Sequence, residues 1–176
     1  MLPDRFDTAR LILRPIAAHD AQAIFAAYAH DPAAARFMTW TPHQTVDDTN
    51  AYIASCLAEP PHSERTYVLE SRAGGQLLGA LELRRPARHR LGFGFVLAQA
   101  HWNQGLMTEA LTEVAAWAMR HGRIWRIESV CDVENTASAR VMEKAELIRE
   151  GILRRYLVHP NLSPEPRDCF SYARAR

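Results

Sequence analysis

The sequence is organised around Phe93-Gly94-Phe95-Val96-Leu97-Ala98-Gln99-Ala100-His101-Trp102-Asn103-Gln104-Gly105-Leu106-Met107-Thr108-Glu109-Ala110, an apolar strand that passes through a short polar turn into a helix. Apolar residues from Leu106 to Ala118 recur at helical spacing, and Gly122 provides a terminating residue. The turn from Asn103 to Thr108 would direct several unpaired backbone N–H groups at one point, and Gly105 has no side chain to block a ligand. Such a turn predicts an anion site.

A strand, a tight turn and a helix also form an ordinary connection without a ligand, so the turn alone leaves both interpretations open. A second block of sequence favours the anion site. It is Arg126-Ile127-Glu128-Ser129-Val130-Cys131-Asp132-Val133-Glu134-Asn135-Thr136-Ala137-Ser138-Ala139-Arg140-Val141-Met142-Glu143-Lys144-Ala145, a strand followed by a helix. Asn135 is a natural N-cap for that helix.

Together the two blocks resemble the GNAT superfamily of acetyl-CoA-dependent N-acetyltransferases. Thr8-Ala9-Arg10-Leu11-Ile12-Leu13-Arg14-Pro15 and Glu150-Gly151-Ile152-Leu153-Arg154 resemble the branch that includes the ribosomal-protein N-terminal acetyltransferases. The resemblance covers nearly the whole chain. It implies one N-acetyltransferase domain over residues 1–176, of mixed α+β class. The implied central sheet has about six to seven strands, splayed between the fourth and fifth, with about four flanking helices.

Composition excludes several other classes. The net charge of +1 and the pI near 7.8 argue against a general nucleic-acid or membrane-surface role, which needs a larger basic excess. The three cysteines show no disulfide or zinc spacing, and the eight histidines form no metal-like pairs, so no metal is predicted. No apolar run is long enough to span a bilayer. We expect a protein of the reducing cytoplasm.

Local patterns predict the elements around the two blocks. Ala73-Gly74-Gly75-Gln76 is the clearest hairpin turn, and it joins the second and third strands of an antiparallel meander. The helix after Gly105 would then cross to a fifth strand parallel to the fourth. The other predicted segments are a strand at 10–14, helices at 21–29, from 46 to before 60 and at 136–145, a basic connection at 84–90, and strands near 152–158 and 168–172.

The resemblance implies how acetyl-CoA is held as co-substrate. Main-chain amides of the turn would bind its pyrophosphate, and the backbones of Phe95 and Leu97 would pair with the pantetheine arm. The backbone N–H of Val96 would polarise the acetyl carbonyl. The full set of implied cofactor-binding residues is Phe95, Val96, Leu97, Asn103, Gln104, Gly105, Leu106, Met107, Thr108, Asn135 and Ser138.

Two catalytic residues differ from the common family pattern. Met142 stands where many relatives have a tyrosine that protonates the leaving thiolate, and Ser138 resembles the serine that the ribosomal-protein branch uses for that purpose. Ser138 is equally suited to bond its own helix backbone. Gly92 stands where the family's usual base, a glutamate, is found. The candidates to replace that base are Glu82, Glu128, His159 and Asp168, and we choose Glu82 because its strand adjoins the fourth.

The acceptor side is less constrained by sequence. Phe37 and Trp40 lie in an aromatic loop predicted to form one wall of the acceptor cleft, with the 160–166 loop as its opposite lip. Trp40 is equally suited to the core. The predicted acceptor is a primary amine of a small molecule or a peptide N-terminus, and homodimer formation is left open. A non-catalytic acetyl-CoA sensor is the alternative, since the usual glutamate and tyrosine are missing.

Overall fold

A computed structural model describes residues 2–176, which fold into a sheet with helices on both faces. The strands are Phe6–Asp7 (β1), Leu11–Pro15 (β2), Glu64–Ser71 (β3), Leu77–Ala87 (β4), Arg90–Leu97 (β5), Arg126–Asp132 (β6), Ile148–Leu157 (β7) and Arg167–Ala175 (β8). Their order in the sheet is β1-β2-β3-β4-β5-β6-β8-β7. The β5–β6 pair is parallel and all other neighbours are antiparallel.

The α-helices are Ala21–Ile24 (α1), Pro32–Ala35 (α2), Val46–Ala58 (α3), Leu106–Arg120 (α4) and Thr136–Lys144 (α5). Helix α1 continues into a π-helical turn at Phe25–Ala29. Helix α3 begins with a capping box, in which Thr45 and Asp48 satisfy each other's backbone N–H groups. Helix α5 begins at the predicted Asn135 cap, whose side chain accepts from Ser138 N–H at 3.1 Å.

Strand alternation divides the core between the two faces of the sheet. Tyr67 and Leu69 of β3 pack with α4 and α5, whereas Val68 between them packs with α1 and α3. This is the period of two that a pleated strand imposes. Each fully buried leucine or valine contributes roughly 1.5–3 kcal/mol, so one strand stabilises both helical layers through alternate residues.

The predicted mixed sheet is confirmed, together with the antiparallel meander and the parallel fifth strand. The strand count is corrected from about six or seven to eight, because β1 is only two residues long and too short to show a pattern. The helix count is five rather than about four, because Pro32–Ala35 forms a separate short helix. The basic connection at 84–90 is also corrected. Strand β4 runs to Ala87, which pairs with Arg90, and only two residues make the turn.

The parallel pairing between β5 and β6 is short. It covers Arg90↔Arg126 to Gly92↔Glu128 and then stops. The Ser129 hydroxyl donates to the Phe93 carbonyl at 2.6 Å at the point where the strands separate. The predicted splay therefore lies between the remaining halves of these two strands, and it leaves one side of β5 without a strand partner.

Candidate active site

The splay between β5 and β6 opens into a cavity of about 220 Å³. Its walls come from the aromatic loop after α2 and from β4, β5, β6, α5 and the segment after β7. Seven of the residues predicted for the site line it, namely Phe37, Trp40, Glu82, Phe95, Val96, Asn135 and Ser138. The structure thus brings together candidate residues from segments more than 100 positions apart in the chain.

The cavity reaches both faces of the sheet. Val96 packs with the α1 and α3 layer, whereas Phe95 next to it packs with the α4 and α5 layer, and both line the cavity. Trp40 belongs to the first layer and Met142 to the second. Two molecules that approach from opposite faces would therefore meet in the gap between β5 and β6.

The backbone of β5 is directed alternately to β4 and to the gap. Ala98 N–H donates to Leu78 O at 2.8 Å, so Ala98 faces β4. The backbone N–H and C=O groups of successive residues alternate in direction along an antiparallel strand. Those of Val96 therefore point to Ala80, and those of Phe95 and Leu97 point to the gap. The prediction that Val96 N–H polarises a carbonyl is wrong for this reason. The backbone groups of Phe95 and Leu97 point in the direction needed to pair with an extended ligand. The Leu97 carbonyl accepts a hydrogen bond from Trp102 Nε1 at 2.8 Å.

The turn before α4 has the features of an anion site. Gly105 has φ 73° and directly precedes the helix, and Asn103 also has a positive φ of 60°. Within residues 2–176, no acceptor is found for the backbone N–H groups of residues 104–108. The Leu106 and Met107 side chains are buried in the core, which anchors the turn. These free amides at a helix start fit a phosphate group.

A hydrogen-bond network connects the first turn of α4 to the segment before β2. Glu109 accepts from the Thr8 hydroxyl at 2.6 Å and from Arg10 N–H at 2.8 Å. Burial by itself raises the pKa of Glu109, but these hydrogen bonds and the Arg10 guanidinium outweigh it and hold the pKa below its usual value. Glu109 is therefore a carboxylate at neutral pH, at a helix N-terminus that favours negative charge.

Asn135, Ser138 and Met142 lie along the α5 side of the cavity. The Asn135 side chain caps α5, as predicted. The Ser138 hydroxyl makes no hydrogen bond to any residue from 2 to 176, so the backbone-bonding alternative for this serine is not what the structure has. Met142 is buried in the place expected for a tyrosine and has no acidic proton. Ser138 is thus the hydroxyl on this wall that is free to contact a ligand.

The four base candidates differ in their surroundings. Glu82 lines the cavity, and its Oε1 lies 2.9 Å from Arg84 Nε. Burial and the neighbouring Glu82 raise the pKa of Glu64 on β3, which places a second carboxyl group beside Glu82. Glu128 is bonded to Arg90 and Arg126, and Asp168 to the Arg154 side chain and the Arg155 N–H; neither lines the cavity. His159 lines it.

The aromatic loop and the 160–166 loop form one continuous wall. Asn161 Nδ2 donates to Ala35 O at 2.7 Å and to Trp40 O at 2.8 Å, which joins the two segments directly. The prediction that they face each other as wall and opposite lip is therefore wrong. Trp40 is half-buried, packs against the α1 and α3 layer and also lines the cavity, so its two predicted roles coexist.

Sequence reasoning assigned no role to Cys131 or Arg84, yet both line the cavity. Burial raises the pKa of the Cys131 thiol to about 12, so it is uncharged at neutral pH. No sequence signal marks either residue, because each lies on a strand whose position beside the gap depends on the splay.

In residues 2–176 no group of three or more histidine, cysteine or acidic residues is placed to hold a metal ion. The same part of the chain contains no helix that combines the length and the apolar character needed to cross a membrane.

Comparisons with known proteins agree with this architecture. The sequence profile of the acetyltransferase (GNAT) domain matches residues 10–147. The fold, the splayed sheet and the free amides before α4 are therefore those of an acyltransferase, and the chain belongs to the GNAT acetyltransferase family. The family membership inferred from the two sequence blocks is confirmed.

Three individual proteins illustrate the likeness. The uncharacterised N-acetyltransferase YoaA of Bacillus subtilis (strain 168) is 27% identical over 175 residues, which cover 97% of each chain. A GNAT acetyltransferase structure from Bacillus anthracis is 23% identical, with a TM-score of 0.85 over 97% of this chain and 98% of its own. RimL, the ribosomal L7/L12 alpha-N-protein acetyltransferase solved with coenzyme A, is 21% identical, with a TM-score of 0.81 over 99% of this chain and 97% of its own.

Proposed function

We propose that this protein transfers an acetyl group from acetyl-CoA directly to a primary amine. The observation that carries the proposal is the cavity between β5 and β6, which is lined by residues of both helical layers. Acetyl-CoA would enter from the α4 and α5 face and the amine from the α1 and α3 face. Direct transfer requires this arrangement, because both reactants must be bound together with their reacting atoms in contact.

The cofactor would be held mainly by backbone groups. The free amides of Gln104, Gly105, Leu106, Met107 and Thr108 would bind the pyrophosphate, with Asn103 shaping the turn through its positive φ. Phe95 and Leu97 would pair with the pantetheine arm along the open side of β5. Asn135 and Ser138 would border the thioester end. In place of Val96, the N–H of Leu97 is the group directed at the gap that would polarise the carbonyl.

The reaction needs one group that protonates sulfur and one that accepts a proton from the amine. We propose Ser138 for the first role, supported by its unbonded hydroxyl in the cavity. For the second, Glu82 stays the prediction from sequence, and its carboxylate lies on the face from which the amine would come. With Phe37 and Trp40 it would form the acceptor-binding wall.

Whether the acceptor is a protein N-terminus or a small amine stays open in this proposal, as does homodimer formation. The assignment of residues 1–176 to one domain and the cytoplasmic location also stay predictions. A non-catalytic acetyl-CoA sensor is the rival function. It is favoured by one observation, the replacement of the two usual catalytic side chains by Gly92 and Met142.

Thiol release from acetyl-CoA in the presence of a panel of peptides and small amines would test the proposal. We expect release above the acceptor-free background with at least one member of the panel. Calorimetry of acetyl-CoA binding provides the control for a correctly folded cofactor site. Binding without release for any acceptor would support the sensor and contradict the enzyme.

A further inference from the structure

His159 is a buried side chain whose ring nitrogens have no hydrogen-bond partner within residues 2–176. Only 3% of it is exposed, and neither ring nitrogen forms a hydrogen bond with any of residues 2–176. Leaving a buried polar group without a hydrogen bond destabilises the folded state. The same residue lines the cavity between β5 and β6. An unpaired imidazole at the wall of a ligand cavity points to a partner that is supplied by the ligand.

The face of the sheet on which His159 lies can be derived from strand register. Glu128 pairs with Gly92, so the even-numbered residues of β6 share a face with the even-numbered residues of β5. Asp132 is one of them, and His159 Nε2 lies 3.7 Å from Asp132 Oδ2. His159 therefore lies on the α1 and α3 face, from which the amine would approach, and opposite to the α5 wall that carries Ser138.

The level of His159 along the strands also fits the reacting centre. The Gly92↔Glu128 pair is the last one, so Asp132 at the end of β6 lies on the separated half of that strand, beside the gap that the backbone of Phe95 and Leu97 also borders. Glu82 pairs with Gly94, one step back toward the closed part of the sheet. The Glu82 carboxylate also forms an ion pair with Arg84, whereas neither ring nitrogen of His159 forms a hydrogen bond within residues 2–176.

A buried carboxylate, that of Asp132, lies beside His159. Asp132 is fully buried. Burial by itself raises the pKa of Asp132, but hydrogen bonds from Arg167 and from the Glu134 N–H outweigh it and hold the pKa below its usual value. An imidazolium at His159 would lie within ion-pair distance of this carboxylate. Arg167, which also pairs with Glu134, is the other charged group facing Asp132.

The ring of His159 is held in place by its neighbours. The Phe37 ring meets it edge-on, with centroids 6.4 Å apart and planes at 85°. The His159 carbonyl accepts from the N–H groups of Leu162 at 2.9 Å and Ser163 at 3.0 Å. Asn161 in the same turn is bonded to the aromatic loop. An imidazole held at the wall of the cavity is placed to accept a proton from a bound ammonium.

We propose that His159 is the catalytic residue that takes the proton from the acceptor ammonium, an inference that rests on the proposed acetyl transfer. One proton passes from the ammonium to an imidazole nitrogen. The neutral amine then attacks the acetyl carbon, the C–N bond forms and the C–S bond breaks. The second proton lost by nitrogen ends on sulfur through the Ser138 hydroxyl, and His159 returns its proton to solvent. Glu82 holds the cationic ammonium before transfer, and Asp132 is a positioning residue.

The test compares His159→Gln, His159→Asn and Glu82→Gln in thiol release, using acetyl-CoA and the panel member that reacts fastest with the wild-type protein. The two His159 variants should lose roughly 10²–10⁴-fold in kcat, the range for acid–base assistance. Glu82→Gln should act chiefly on the acceptor KM. His62→Gln, an exposed histidine outside the site, is the matched control. Thermal melts and acetyl-CoA calorimetry report whether each variant keeps its fold and cofactor site.

The pH dependence of kcat gives a second readout. The wild-type protein should show an acid limb in kcat that is absent from both His159 variants, because their amide side chains have no ring nitrogen to accept the proton. Asp132→Asn should move this limb to lower pH, because the imidazolium loses a neighbouring carboxylate. Folded His159 variants with wild-type kcat, or loss of kcat in Glu82→Gln alone, would overturn the role of His159 and leave acetyl transfer intact. Lack of turnover by the wild-type protein with every acceptor would overturn both.

Discussion

Arg10, which directly precedes β2, and Glu109 in the first turn of α4 are joined by an ion pair of 2.7 Å between Arg10 Nε and Glu109 Oε2. Arg10 Nη1 also donates to the Gln104 carbonyl at 3.0 Å. One guanidinium thus contacts both the helix and the turn whose amides face solvent. The conformation of the proposed phosphate site therefore depends on a residue nearly 100 positions earlier in the chain.

The first prediction concerns that turn. Gly105→Val should weaken acetyl-CoA binding at least tenfold, because a branched side chain would enter the approach to the free amides. Valine is also strained at φ 73°. Isothermal calorimetry measures the affinity, and circular dichroism reports the fold. Gly122→Val is the matched control, since a Cβ at Gly122 meets no atom within 4 Å. Equal affinities in both variants would place the pyrophosphate elsewhere.

The second prediction concerns the leaving thiolate. Ser138→Ala should lower kcat by roughly 10²–10⁴-fold with little change in acetyl-CoA affinity, because its hydroxyl is the proposed proton donor to sulfur. Single-turnover thiol release gives the rate of the chemical step. Ser55→Ala, at a serine bonded to its own helix backbone, serves as the comparison. Wild-type kcat in a folded Ser138→Ala variant would leave Ser138 without a chemical role.

The third prediction separates the two roles of Trp40. Trp40→Ala should raise the acceptor KM about 5- to 100-fold, corresponding to a lost contact of about 1–3 kcal/mol. It should also lower the melting temperature, because the ring packs against the α1 and α3 layer. Val46→Ala removes a partly buried residue from the same layer, away from the cavity, and should affect the melting temperature alone. A parallel change in KM for both variants would remove Trp40 from the acceptor site.

The fourth prediction concerns the end of α5. Glu146 follows α5 with a φ of 65°, in the left-handed region that favours glycine. A left-handed non-glycine residue costs roughly 1–2 kcal/mol, and the exposed pair with Arg174 returns less than about 1 kcal/mol. Glu146→Gly should therefore stabilise the protein by about 0.5–1 kcal/mol in urea unfolding. Glu146→Ala, which loses the pair but keeps the strain, should not stabilise it.

The fifth prediction concerns acid stability. The Asp20 carboxylate is buried and accepts from Arg14 at 2.8 and 2.9 Å and from Ala17 N–H at 2.8 Å. Burial raises the pKa of Asp20, but these bonds outweigh it, and the folded-state pKa lies below the unfolded value. The stabilisation of the folded state by the Asp20 carboxylate is thus complete above about pH 4, and it is lost as pH falls through the folded-state pKa of Asp20.

Unfolding of Asp20→Asn at pH 7 and pH 3 tests this sign. The variant should be about 1.5–3 kcal/mol less stable than the wild-type protein at pH 7, the value of hydrogen bonds to a charged group. The difference should shrink toward pH 3 and below. Asp47→Asn, at an exposed position on α3, controls for the loss of a charge. A difference that grows as pH falls would contradict the assignment.

Local sequence was sufficient to predict much of this molecule. The helical spacing after Gly105, the Asn135 cap and the hairpin turn at Gly74 and Gly75 each depend on contacts within a few residues. The family resemblance added the splay between β5 and β6, and the comparisons confirm the family.

Tertiary structure alone decided which side chains meet. The direction of the Val96 N–H depends on its pairing with β4, and a shift of one residue would reverse it. Because Asn161 contacts Trp40, the two segments predicted to lie on opposite sides of the cleft form one wall. His159 was only one of four base candidates until burial, register and the Asp132 carboxylate placed it at the gap. These relationships join residues more than 15 positions apart, and they depend on chain packing that no local pattern contains.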